Sequence, residues 1–292
     1  MKVLMTGATG FVGGRAARRL ASDADVRAAV RRPSDALSEL GIEQVQRSLE
    51  QIDRSVLDGV DTVVHIAATT VNDLDAARVI NRDGTKRLVD LAVEAGVPRF
   101  VYVSTTAVYD KQAVGDDVIT EDAPLAEAGR VSRVYSVTKA ESEAEVERGG
   151  QQGLSTAILR PSAVLGSGPT STWGTRFPRS WRAGDPRPLH PEETRGWIHV
   201  DDLADGIALA AAGSTEVTAN MVTDHTLMAD YIDRIRAMLG DVDELPRPAG
   251  EPWRGTFATA RMREELGCVP SRTFDDAMDE IAASWEDGDP SA

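Results

Sequence analysis

A single cysteine, Cys268, stands in this chain of 292 residues, so no internal disulfide and no cysteine-rich metal site can form. Histidine is scarce as well. No pair of His65, His190, His199 and His225 has metal-ligand spacing, and no metal is expected. Lysine is confined to Lys2, Lys86, Lys111 and Lys139, with arginine supplying the other basic groups. No apolar run approaches the roughly 20 residues that cross a bilayer. Positive charge is in deficit: the net charge of -15 argues against nucleic acid and anionic membranes as partners, because their phosphates repel such a surface. Met1–Met5 runs straight into a glycine turn and reads as a first strand rather than a leader, so a cytoplasmic location is expected.

What is present is alternation. Apolar, β-branched runs at Lys2–Thr6, Val26–Val30, Asp61–Ala67, Phe100–Ser104 and Leu154–Leu159 read as strands. Between them Phe11–Ser22, Ser34–Leu40, Asn81–Ala95 and Ser136–Arg148 read as helices. The third of these stops at Gly96 with Pro98 beyond it, as helix ends do. Near-continuous apolar strands separated by helices predict an α/β chain with a doubly wound parallel sheet covered on both faces. Beyond about residue 165 the pattern changes. Pro169–Glu193 is rich in Pro, Gly, Arg and Trp, with little periodicity. Helices are expected at His199–Ala212 (after a short strand), Leu227–Leu239 and Asp275–Trp285. The expected division is a dinucleotide-binding domain over 1–165 and a smaller substrate lobe over 166–292. The segment 197–212 is expected to rejoin the first domain, meeting its sheet near Trp197–Val200, and Asp287–Ala292 to fray.

The chemistry starts at Thr6-Gly7-Ala8-Thr9-Gly10-Phe11-Val12-Gly13, between a strand and a helix. Gly7 permits the tight turn, Gly10 lets the backbone approach a pyrophosphate, and Gly13 lets the helix pack against the sheet. The helix N-terminus then offers free N–H groups and a positive dipole end to phosphates. The end of the second strand decides between cofactors. A carboxylate there suits the ribose 2′-hydroxyl of NAD, but this chain reads Val30-Arg31-Arg32-Pro33. Arg31 and Arg32 are either solvated surface groups or partners of a 2′-phosphate, and NADP(H) is expected over NAD(H).

Tyr135-Ser136-Val137-Thr138-Lys139 places a phenol and an amine one helical turn apart on one face. A phenol is a poor acid–base group at neutral pH until its anion is stabilised. The Lys139 charge favours the phenolate, and the amine can also hold ribose hydroxyls. A hydroxyl is still needed to orient a substrate oxygen. Thr105 is the first choice and Ser104 the second, both at the C-terminal end of a strand, where such sheets bind ligands.

These segments resemble the extended short-chain dehydrogenase/reductase family over nearly the whole chain. Further matching motifs are Val64–Ala68, Asn81 with Gly84-Thr85, Val103–Tyr109, Arg160–Gly166 and Ile198–Ala204. The resemblance implies a roughly seven-stranded Rossmann sheet, a small C-terminal substrate lobe and a Ser/Thr–Tyr–Lys set of Thr105, Tyr135 and Lys139, with Asn81 in support. It implies that Ala67 and Ala68 line the cofactor and that Pro161 and Val164 lie near the nicotinamide. Ser48-Leu49 stands where the family has Asp-Leu near adenine. Around Arg31 the chain is similar to dihydroflavonol reductase-type carbonyl reductases. Around Arg195 it is similar to nucleotide-sugar enzymes, in which this arginine holds a pyrophosphate; a plain surface arginine is the other reading. Thr106-Ala107 replaces the Asp-Glu of sugar 4,6-dehydratases, and no asparagine lies near Ala163, as epimerases usually have. Thr106 is also a candidate substrate contact.

Trp197 is expected in the core. Trp173 and Trp181 either pack or line an apolar or aromatic substrate pocket. His65 and His199 are read as structural. The acidic residues Glu141, Glu143, Glu145 and Glu147 read as a solvated helix face. Family members often dimerise through this helix and Asn81–Ala95, so a homodimer is a possibility that these charges weaken. The leading expectation is an NADPH-dependent ketone reductase or alcohol dehydrogenase acting on a small-molecule carbonyl or alcohol. A nucleotide-sugar epimerase or 4-ketoreductase is the alternative, and a cofactor-sensing regulator a third.

Overall fold

In the computed structural model, residues 1–131 and 133–286 are described. The tail expected at Asp287–Ala292 lies outside them. Seven strands, β1 (Lys2–Thr6), β2 (Asp25–Val30), β3 (Glu43–Gln46), β4 (Thr62–His65), β5 (Arg99–Val103), β7 (Ser155–Pro161) and β10 (Val217–Met221), form one parallel sheet in the order β3-β2-β1-β4-β5-β7-β10. The order reverses direction at β1, which opens a crevice between the C-terminal ends of β1 and β4. This is the doubly wound Rossmann-type sheet expected from the sequence. β3 and β10, its two edge strands, are too polar or too short of periodicity to stand out in the sequence.

Alternation along the strands feeds two cores. Val3 and Met5 join α1 (Phe11–Ala21) and α8 (Val200–Ala212) in one. Leu4, Phe100 and Tyr102 join α4 (Gly84–Ala95) and α6 (Val134–Gln151) in the other. α4 ends where Gly96 takes φ 69°, a left-handed cap whose N–H returns to Ala92 and Val93 carbonyls. The helix expected from Asn81 starts earlier: α3 (Leu74–Arg78) runs through a π-helical turn at Val79–Asp83 into α4.

A second sheet contains β8 (Ala163–Leu165), β9 (Thr194–His199) and β11 (Asp224–Leu227), and β6 (Val118–Ile119) pairs with β12 (Thr256–Phe257). Trp197 therefore sits in the three-stranded sheet, 3% exposed; α8, which follows it, packs on the large sheet, and the chain next adds a strand to that sheet at β10. The irregular stretch from Pro169 holds α7 (Phe177–Arg182). With α9 (Met228–Leu239) and α10 (Phe274–Glu286), α7 encloses a separate core around Phe177, Trp181, Tyr231 and Ile281. Among the described residues no helix is long and apolar enough to cross a membrane.

Candidate active site

The glycine turn is fixed by close packing. Gly7 has φ +75°, and a Cβ there would lie 2.7 Å from the Ala67 nitrogen. A Cβ on Gly13 would lie 2.0 Å from the Gly7 carbonyl oxygen, so α1 can approach the turn only with glycine at that position. Gly10 caps α1 without a side chain, leaving first-turn N–H groups open to the crevice. This cradle of backbone donors fits a dinucleotide pyrophosphate.

A cavity of about 1290 Å³ extends from this turn across the C-terminal edge of the sheet. Gly7, Thr9, Gly10, Phe11, Val12 and Gly13 line it, with Ala67 and Ala68 across the crevice. Arg31, Ser48 and Leu49 line its end beside β2 and β3. Thr105, Thr106, Tyr135, Lys139, Pro161 and Val164 line the part above β5, α6 and β8, and Trp173 and Arg195 the lobe side. Arg32 is exposed and does not line the cavity. Trp181 corrects the pocket expectation. It is 2% exposed, packs on Phe177 at 5.9 Å between ring centroids, and donates from Nε1 to the Asp243 carbonyl at 2.9 Å. The apolar core between α7 and α9 claims it.

Asn81 lies behind the cavity, within the π-helical turn. Its Oδ1 accepts from the Thr69 N–H at 2.7 Å, and its Nδ2 donates to the Thr69 carbonyl at 3.1 Å and the Thr138 hydroxyl at 2.9 Å. It ties the crevice loop to α6 and does not face the cavity.

Lys139 is 1% exposed; its Nζ donates to the Val103 carbonyl at 2.7 Å and lies 4.0 Å from the Tyr102 ring centroid. Burial pulls its amine down to about 7, against the opposing charge of Glu143. Burial pushes the Tyr135 phenol up, and the cation that opposes this is Arg133, 5.9 Å from the ring centroid, where the sequence pointed to Lys139. Thr105 Oγ1 accepts from the Ala107 N–H at 3.1 Å, which leaves its own proton free to donate. The Ser104 hydroxyl is buried with no partner among the described residues.

The lobe side is cationic. Arg133, Arg187, Arg195 and Lys111 all line it. Arg195 pairs with Glu193 at 2.7 Å, yet its Nε is buried without a partner among the described residues. Burial, and then Arg195, pull Lys111 down to about 7; its ammonium sits 3.5 Å over the Trp253 ring centroid. Sequence reasoning missed Lys111, Arg133, Arg187 and Trp253, which belong to no motif: Lys111 opens the short helix α5 (Lys111–Val114), Arg133 directly precedes α6, and Arg187 and Trp253 lie in irregular segments.

The histidines hold structure. His65 is fully buried between the Thr6 and Thr85 hydroxyls, at 2.6 and 2.9 Å, and burial pulls it down to about 3, so it is neutral. His199 Nε2 meets Glu280 at 2.8 Å. Spacing did not reveal that His199, Asp201 and Glu280 bring ligand-type atoms within 4.8 Å of one another. Arg15 fills that role itself, bonding Asp201 at 2.9 Å and Glu280 at 2.7 Å, and so pins α10 to α1 and α8. The acidic face of α6 is also corrected: Glu143 is buried against Arg160, Glu141 is engaged by Arg78, and only Glu147 of the four is exposed.

Known proteins share this architecture. A UDP-glucose 4-epimerase structure from Thermotoga maritima superposes with a TM-score of 0.81 at 19% identity, covering 98% of this chain and 99% of that one. A UDP-glucuronic acid 4-epimerase from Bacillus cereus gives 0.81 at 18% identity, covering 98% and 99%. At such identity the likeness is one of fold. A dTDP-glucose 4,6-dehydratase from Streptomyces griseus is 29% identical over 94% of this chain and 91% of its own length. A 3-beta-hydroxysteroid dehydrogenase from Mycolicibacterium neoaurum is 33% identical over 57% of this chain, which spans 48% of that relative. The model of the NAD dependent epimerase/dehydratase family matches residues 3–222. With that match over most of its length, the chain belongs to the NAD dependent epimerase/dehydratase family, enzymes of the extended short-chain dehydrogenase/reductase type.

Proposed function

We propose that the protein is an NADP(H)-dependent reductase of a small-molecule ketone, reversible as an alcohol dehydrogenase. The observation that carries this reading is one cavity joining the glycine turn and Arg31 to Thr105, Tyr135 and Lys139. Arg31, in place of a carboxylate at the end of β2, supports the phosphorylated cofactor. Nicotinamide bound beside Pro161 and Val164 would supply the hydride. Tyr135 donates the proton to the substrate oxygen. Its raised pKa keeps the phenol protonated at neutral pH, as an acid in the direction of reduction must be. Thr105 donates a second hydrogen bond to the same oxygen. Lys139 holds the ribose and, when charged, stabilises the phenolate left behind.

A second reading, a nucleotide-sugar epimerase or 4-ketoreductase, is favoured by Arg195 and its neighbours Arg187 and Arg133, which suit an anionic substrate. Thr106-Ala107 offers no acid–base pair for a dehydratase. Incubating the enzyme with NADPH and a small-metabolite extract, beside a Tyr135→Phe control, separates these readings. A Tyr135-dependent product two hydrogens heavier, with NADPH consumed, is expected. An isomerised sugar nucleotide without net NADPH loss would establish the second reading. Near-full turnover in Tyr135→Phe would overturn the proton-transfer role in both.

A further inference from the structure

We propose that Arg47, directly after β3, is the second arginine of a 2′-phosphate subsite; this rests on the NADP(H) reading above. β2 and β3 run parallel with Val30 paired to Gln46, so Arg31 and Arg47 are the next residues on each strand. They leave the sheet side by side at its C-terminal edge, and both line the cavity. One backbone and one side-chain bond hold them together: the Arg47 N–H donates to the Val30 carbonyl at 2.9 Å, and Gln46 Nε2 donates to the Arg31 carbonyl at 3.2 Å. The Arg47 guanidinium is held by two acceptors. Nη1 donates to the Gln46 carbonyl at 3.0 Å and Nε to Asp53 at 3.3 Å, while Nη2 has no partner among the described residues. Arg32, its neighbour in sequence to Arg31, does not line the cavity. Two fork-shaped cations match a dianionic phosphate held between them, whereas a free ribose diol calls for a carboxylate acceptor. Glu50 is the carboxylate on the same rim and the feature that opposes the assignment.

The test is the affinity of the full chain for NADP⁺, NAD⁺ and 2′,5′-adenosine bisphosphate, measured by calorimetry for wild type, Arg31→Ala, Arg47→Ala and Arg32→Ala. Expected is a wild-type preference for NADP⁺ that falls about tenfold or more in Arg47→Ala, as it does in Arg31→Ala. Binding of 2′,5′-adenosine bisphosphate should weaken in parallel. NAD⁺ affinity should hold in Arg47→Ala, which also reports that the variant is folded, and Arg32→Ala should change nothing. No wild-type preference would overturn the NADP(H) reading, and the Arg47 assignment with it. A preference lost in Arg31→Ala but kept in Arg47→Ala would overturn the Arg47 assignment alone. So would an Arg47→Ala protein that lost NAD⁺ and NADP⁺ equally, since Arg47 would then only shape the rim.

Discussion

Glu143 and Arg160 form a buried ion pair, with Arg160 Nη2 2.6 Å from Glu143 Oε2 and side chains 0% and 3% exposed. Arg160 also donates to the Tyr109 hydroxyl at 2.9 Å and the Glu121 carbonyl at 2.8 Å. Glu143 lies one turn beyond Lys139 on α6, and Arg160 directly precedes Pro161 on β7. The pair therefore fixes the helix bearing Tyr135 and Lys139 against the strand that ends at the proposed nicotinamide site.

Glu143→Gln leaves the Arg160 charge buried without its counter-charge. Breaking a buried pair by removing one partner costs about 3–5 kcal/mol, so a fall of several degrees in Tm is expected. The Lys139 amine should also drop further below about 7, because Glu143 is the charge that supports its protonation. An unchanged thermal melt would show that the pair contributes little beyond what a neutral amide supplies.

Lys139 itself carries a pH signature. Its amine is held at about 7 in the folded protein and titrates near 10.4 when unfolded. Between those values the unfolded chain binds more protons, so this group's contribution to stability rises with pH from about 7 to about 10. Urea midpoints at pH 7 and pH 9.5 should increase with pH in wild type, and increase less in Lys139→Met. The same variant should lose turnover by about a hundredfold or more. Identical pH dependence in the two proteins would mean that the Lys139 amine holds its proton equally well in the folded and unfolded chains.

Most of the turn and the proposed proton-transfer pair could be read from the sequence because their geometry is local. Gly7, Gly10 and Gly13 act within one strand–turn–helix, and Tyr135 and Lys139 within one helical turn. Arg47 could not be read, because it meets Arg31 only through the register of β3, a polar edge strand with little apolar patterning. Glu143 was misjudged for a related reason. Its charged neighbours Glu141, Glu145 and Glu147 look like a solvated face, and its partner Arg160 sits on a strand that local periodicity cannot bring into contact. The lobe side of the cavity is assembled from Lys111, Arg187, Arg195 and Trp253, whose segments pack by tertiary contact rather than by any repeat.

Trp173 and Trp181 separate packing from recognition. Both join the aromatic cluster around Phe177, but only Trp173 reaches the cavity, where Arg187 and Arg195 stack at 5.0 and 5.5 Å from its ring centroid. Trp181 is enclosed by α7 and α9 and anchored to Asp243. Trp181→Ala should cost about 3–5 kcal/mol of stability, read as a lower urea midpoint, while KM for the substrate changes little in the protein that remains folded. Trp173→Phe keeps an aromatic ring on the core side yet shrinks the surface beneath the two guanidinium groups, so it should raise KM with a smaller loss of stability. Equal effects of the two substitutions on KM would contradict this division, because the shared core would then transmit whatever is done to either ring.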